Sequence, residues 1–229
     1  YGEDGAGRFI GSAQAAKYGA VGVMVRSLAS NVNDFPHTGA TRYSDSFPKI
    51  PAVAISTSDA NWLSNQLKKK LQLKAYFKTS CKMLADVPSY NVIGEIKGST
   101  FPEEIISVGG HLDSWDLAEG ANDDGSGVTQ SIEIIRAIRA LGIKPKRTLR
   151  AVMFMNEENG GRGGEAYLQN AIDKNEHHIF ALESDEGGFT PRGFSMEMCE
   201  EKQQKIKQWA SLFYDYGVYF LKPGEADRM

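Results

Sequence analysis

Carboxylates and one histidine recur at the ends of apolar stretches. His111 and Asp113 follow Ile105 to Gly110, Asp123 and Asp124 precede an apolar-striped segment, Glu157 and Glu158 follow Thr148 to Met155, and Asp185 follows Ile179 to Leu182. Imidazole and carboxylate ligands suit zinc, and several carboxylates around a single histidine favour two ions that share a bridging carboxylate. Ions about 3.5 to 4 Å apart can bind both a hydrolytic water and the carbonyl it attacks, so hydrolysis is the chemistry such a set would do. Neighbours on an extended chain point to opposite sides, so Glu157 and Glu158 should divide the work, one holding metal and the other facing the water as general base. His111 and Asp113, two residues apart, share a side, which places Asp113 to orient the site rather than to ligate. The small residues from Asn122 to Gly127 permit a tight turn.

These residues need a scaffold that gathers strand ends. The chain reads as strand, loop and helix in repetition, which predicts an α/β fold with a mostly parallel sheet covered by helices on both faces. In such sheets ligands collect beyond the carboxyl ends of the strands, where all these acids lie. Strands are predicted at Tyr90 to Ile96, Glu104 to Gly109, Thr148 to Met155, Ile179 to Leu182 and Val218 to Leu221. Helices are predicted at Ser126 to Leu141, with Val128, Ile132, Ile135, Ile138 and Leu141 on one stripe, at Gly164 to Asp173, and at Glu200 to Tyr216. Gly142 ends the first of these.

Upstream, Gly5 to Tyr18 suits a short packed helix, Ala20 to Val25 and Ile50 to Ser56 suit strands, and Asn31 to Ser46 is a long polar loop. Ser58 and Asp59 can cap a helix through Trp62, Leu63 and Leu67 that ends at Lys68 to Lys70. Alternation from Leu71 to Lys78 predicts a strand with one wet face, and the polar stretch from Asp86 to Ser89 predicts a domain boundary.

Composition narrows the class. With 229 residues, 41% hydrophobic and 24% charged, the chain has the makings of one or two globular domains. A net charge of -3 makes no electrostatic case for nucleic acid or an acidic membrane surface. No apolar run approaches the roughly 20 residues needed to span a bilayer. Cys81 and Cys199 lie far apart without paired spacing and read as buried or idle thiols. The chain opens at Tyr1 and stops at Met229 in what reads as mid-loop, as a fragment would, so the absence of a leader says nothing about export.

The strings GGHLDSWD, GANDDGSG, NEENGGRGG and ESDEGG, in that order, resemble the co-catalytic zinc exopeptidase family that contains bacterial leucyl aminopeptidases and glutamate carboxypeptidases. VRSLAS, PHTGA and KIPAVAI extend the likeness over nearly the whole chain. The resemblance implies a protease-associated domain over about residues 1–85, partial and inserted, and a peptidase domain over 86–229, truncated at its C-terminus. It implies two zinc ions per active site: His111 and Asp185 on one, Asp123 bridging, Glu158 on the other, Glu157 as base and Asp113 orienting the site. It also implies a cis peptide at Asp123-Asp124, a peptide substrate, a homodimer, and a secreted, lysosomal or periplasmic location. The family supplies a further histidine ligand C-terminal to these motifs, and no residue after Asp185 in this sequence is a histidine. Residues 1–229 alone are therefore expected to be inactive or poorly metallated.

The expected activity is a carboxypeptidase or dipeptidase acting on dipeptides or short peptides. A general dizinc aminopeptidase is the alternative, and a receptor-like binding module that has lost catalysis is the alternative of another class. Plainer readings stand beside each residue. Asp123 and Asp124 could cap a helix, Glu157 and Glu158 could begin one in solvent, and Glu183 or Glu186 could replace Asp185. His37 reads as a loop residue and His177 and His178 as surface residues. Gly160 to Gly164 lacks the lysine and hydroxyl of a phosphate loop and reads as flexible backbone near the site, and no serine-hydrolase elbow surrounds Ser126.

Overall fold

A computed structural model of the protein describes residues 6–37, 39–70, 72–185 and 187–224. Gly5, Thr38, Leu71 and Glu186, which the sequence reading touches, lie outside them. The polypeptide divides into two compact units, residues 1–86 and 87–229. No helix among the described residues is long and apolar enough to cross a membrane.

The first unit pairs two short parallel strands, β1 (Val23–Arg26) and β2 (Ala52–Ile55), with Val23 opposite Ala52. Helix α1 (Ala6–Lys17) turns Ala13 and Ala16 inward, and α2 (Thr57–Lys68) follows β2 directly. The cap of α2 is Ser56, not Ser58 or Asp59: its hydroxyl oxygen accepts the Asp59 N–H at 2.9 Å, two residues earlier than the sequence pattern implied. Buried hydroxyls pin the long loop between the strands, Thr57 Oγ1 to the Asn33 N–H at 2.9 Å and Ser27 Oγ to the His37 N–H at 2.8 Å. Residues 72–78 form no strand. Alternation alone does not make one, because a strand needs an edge to pair with; here Phe77 lays its ring against Gly22.

The second unit is built on a four-stranded sheet in the order β3-β5-β4-β6: β3 (Val92–Ile96), β4 (Phe101–His111), β5 (Arg147–Phe154) and β6 (His177–Glu183). β4, β5 and β6 run parallel, while β3 is antiparallel on the edge beside β5. Val108, Ala151 and Met153 form the core on one face, where Val128 and Ile135 of α3 (Gly125–Ala140) pack with Leu149 and Leu182. The other positions of the predicted stripe do less: Ile132 and Leu141 stay exposed, Ile132 lining an open apolar groove with Ile93 and Leu112.

On the opposite face, Tyr167 of α4 (Arg162–Asp173) sets its ring edge-on to Phe154 and to His178. Arg150, pointing to the same face, donates to the Tyr167 hydroxyl at 3.1 Å, to Glu95 at 3.0 Å and to Glu176 at 2.7 Å. His178 is therefore no surface residue: it is half-buried, 3.1 Å from both Glu176 and the Ser107 hydroxyl. His177 is exposed.

Beyond β6, the strand β7 (Gly193–Met196) pairs in parallel with β8 (Phe220–Pro223), and between them the single predicted helix is broken into α5 (Glu200–Lys207) and the short α6 (Ala210–Phe213). Cys81 and Cys199 are free and exposed rather than buried. Cys199 is not among the residues of the sheet's core, where Val108, Ala151 and Met153 are buried.

α3 can reach the sheet only because Gly127 lacks a side chain: a Cβ there would collide with the Ser184 carbonyl and the Asp124 carboxylate. Gly127→Ala should cost about 1–3 kcal/mol, read by urea denaturation, as overpacking does elsewhere. The Arg150 hydrogen bond holds the Glu176 carboxyl below its ordinary value of 4.5, against the opposing effect of burial and with help from His178. Its ionised form is thus favoured by folding, so the stabilisation is complete above about pH 4.5 and lost as pH falls through the depressed folded value. Glu176→Gln should lower stability by about 1.5–3 kcal/mol at neutral pH, and a denaturation series into acid should show that difference shrinking.

Candidate metal centre

β4 delivers His111 at its last position with its side chain almost wholly enclosed. The backbone fixes the residue twice over: the His111 N–H donates to Asp124 Oδ2 at 2.8 Å, and the next N–H, of Leu112, donates to the Phe154 carbonyl at 2.7 Å. The ring is oriented by its own chain, Nδ1 lying 2.8 Å from the Asp113 carbonyl. That contact places a proton on Nδ1 and turns Nε2 toward the acids.

The loop after Asp113 returns through a cis peptide at Asp123-Asp124, as the family resemblance implied. The two aspartates then do different jobs. Asp124 caps α3, its Oδ1 accepting the Gly127 N–H at 2.9 Å while Oδ2 holds His111. Asp123 brings Oδ1 to 3.1 Å from His111 Nε2. From β6, the Ser184 N–H bonds the Gly109 carbonyl at 3.2 Å, and Asp185 follows with Oδ1 3.5 Å from the same Nε2.

Glu157 and Glu158 lie in a turn after β5, not on extended chain, with Asn156 at φ +70°. The expectation that they face opposite sides fails for that reason, since strand alternation does not apply to a turn. Both carboxylates reach the His111 side, Glu157 Oε2 at 3.9 Å from Nε2. Asp113 holds this turn: its carboxylate oxygens accept the N–H groups of Glu157 at 2.9 Å and Glu158 at 3.2 Å. Its carboxylate thus serves the acidic turn, while its carbonyl serves the imidazole.

Among the described residues two groups of candidate metal ligands result, His111 with Asp123 and Asp185, and His111 with Glu157 and Glu158. Within each, one donor atom per residue lies within 4.8 Å of the others. Asp113 belongs to neither.

The electrostatics of the pocket are those of several acids gathered around one imidazole. Burial pushes the Glu158 carboxyl up to about 7, with Asp123 and Glu157 adding repulsion. Burial also raises Asp123, with Asp185 beside it. Asp124 rises to about 6, again by burial, although its two backbone N–H donors oppose the shift. For His111 burial opposes the charged ring, yet the Asp185 hydrogen bond, the Asp113 carbonyl and the charges of Asp185 and Glu157 outweigh it and lift the pKa to about 10. Glu158 Oε1 is buried with no hydrogen-bond partner. A buried carboxylate oxygen without a donor is costly unless a cation meets it. Hard and borderline divalent ions take this donor set of carboxylates with one imidazole nitrogen, and the residues therefore fit a metal.

Sequence reasoning did not single out Asp124 as the clamp between β4 and α3. Two adjacent aspartates carry no signal of which one turns inward until the helix start is placed.

The family model for peptidase family M28 matches residues 91–224. The chain is 39% identical over 211 residues to carboxypeptidase Q of Homo sapiens, covering 92% of this chain and 45% of that protein. A crystal structure of a peptidase M28 precursor from Shewanella amazonensis SB2B superposes with a TM-score of 0.87 at 34% identity, over 99% of this chain and 51% of that one. A zinc aminopeptidase from Bacillus subtilis shares the fold with a TM-score of 0.56 at 18% identity, over 90% of this chain and 54% of that one. The chain spans about half the length of the relatives it matches. With the family model covering more than half its residues, this chain belongs to peptidase family M28.

Proposed function

We propose that the protein is a zinc-dependent metallo-exopeptidase that hydrolyses peptide bonds of dipeptides or short peptides. The observation that carries this reading is the pair of ligand groups that share His111 beyond the carboxyl ends of parallel strands. Membership of the M28 peptidases and the likeness to carboxypeptidase Q support it.

In this reading His111 and Asp185 would hold one zinc and Glu158 a second, with Asp123 serving both as the family resemblance implies; Glu158 has a buried oxygen with no hydrogen-bond partner to offer. Zinc, when bound, acts as a Lewis acid on the scissile carbonyl and makes water a stronger nucleophile at neutral pH. Glu157 removes the proton from the attacking water and passes it to the leaving amine. Its neighbour on the chain is committed to metal, and the Asp113 carboxylate holds both in place through their N–H groups. The acids are partly buried, which strengthens the charge interactions among them.

The finer features follow the family resemblance. Residues 1–85 form a protease-associated domain and residues 86–229 a part of the peptidase domain. The protein works as a homodimer in a secreted, lysosomal or periplasmic setting. The aminopeptidase alternative is favoured by relatives such as aminopeptidase YwaD of Bacillus subtilis, 30% identical over 126 residues. Dipeptides blocked at the amino end and dipeptides blocked at the carboxyl end separate the two: a carboxypeptidase cleaves only the first, an aminopeptidase only the second, and a dipeptidase that needs both free termini cleaves neither.

Glu157→Gln in the intact protein should lower kcat by about 10²–10⁴-fold, as loss of a general base does, with bound zinc unchanged; unaltered turnover removes Glu157 as the base. Metal analysis should find two zinc ions per active site, and chelation should abolish hydrolysis, with zinc restoring it. Full activity in the chelated, metal-free protein would refute the assignment.

A further inference from the structure

The turn that carries Glu157 and Glu158 is short and tied at several points by its own backbone. The Gly161 N–H donates to the Asn156 carbonyl at 2.7 Å and the Gly163 N–H to the Met155 carbonyl at 3.0 Å. Asp113 holds the middle of the turn from inside the site. Its two ends are joined by a residue that leads into another strand. Asn91, immediately before β3, accepts the Met155 N–H on its Oδ1 at 3.0 Å and donates from Nδ2 to the Gly163 carbonyl at 2.7 Å.

This arrangement follows from the sheet. β3 runs antiparallel to β5 with Val92 opposite Met153, so the residue before β3 arrives where β5 gives way to the turn. The strand ladder stops there, and a side-chain amide takes over the next donor and acceptor. Gly163 is packed so closely that a Cβ would strike the Met155 carbonyl and the Asn91 amide oxygen.

We propose that Asn91 is a positioning residue for the Glu157–Glu158 turn: one amide clasps both ends of the turn and thereby sets where the two carboxylates stand relative to His111. The role requires an amide. Aspartate keeps the acceptor for Met155 but faces the Gly163 carbonyl with an oxygen instead of a donor, and alanine offers neither partner. Asn91 touches no reacting atom; it acts through the turn. Its consequence for catalysis rests on the metallopeptidase reading above, whereas the clasp itself does not.

The test compares wild type with Asn91→Asp and Asn91→Ala in the intact protein. Amide hydrogen exchange on metal-free protein should show Met155 and the turn residues through Gly161 exchanging about tenfold faster or more in both variants, with β4 and α3 still protected. With zinc, kcat should fall about 10–100-fold and zinc should bind more weakly, while KM stays within about twofold. A purely structural residue would instead lower the melting temperature with kcat intact, and that result overturns the proposal. So does unchanged exchange in the turn. Should wild type neither bind zinc nor cleave peptides, the metallopeptidase reading falls and the catalytic role of Asn91 with it, while the exchange data still decide whether the clasp exists.

Discussion

One buried carboxylate organises the centre of the second unit. Asp124 is 1% exposed and binds two backbone donors at once, the N–H of His111 at the end of β4 and the N–H of Gly127 in the first turn of α3. It ties a strand terminus to a helix N-terminus, where the helix dipole also favours negative charge. The glycines beside it are part of the same joint, since a Cβ on Gly110 or Gly127 would occupy the space of its oxygens. With this joint closed, Asp123 stands next to the imidazole and the carboxyl end of the sheet has a defined edge.

Around that edge the protein concentrates acids in a way that burial alone disfavours. Glu158 and Asp123 are both raised, first by burial and then by acidic neighbours, and the His111 ring is held as a cation by the same acids. Ligand carboxylates and imidazole must lose their protons to bind a divalent ion, so metal binding by this set depends on pH. A pocket whose acids raise one another is expensive for folding and useful for binding metal, and such perturbed groups gather at functional sites.

Precision at the site comes from the backbone rather than from salt bridges. Asp113 uses its carbonyl for the imidazole and its carboxylate for the acidic turn, so one residue sets the relation between His111 and the pair Glu157 and Glu158. Asn91 closes the same turn from outside. On the far face of the sheet, Arg150 links Glu95 on β3, Tyr167 on α4 and Glu176 before β6, stiffening the strands that deliver these residues.

Much of this was readable in the residues themselves. Branched apolar runs ending in His111, Glu157 and Asp185 required strands that release acids at one edge, and the 3.6-residue spacing from Val128 to Ile138 required α3. Local patterns carry that information because they depend only on neighbours in the chain. They could not say that residues 72–78 lack a partner strand, that α5 ends before Trp209, or that Glu157 and Glu158 leave the extended conformation. Nor could they choose between Asp123 and Asp124, chemically identical and adjacent. That choice belongs to tertiary structure, because only the approach of α3 to β4 determines which carboxylate is consumed by backbone donors and which remains free to face the imidazole.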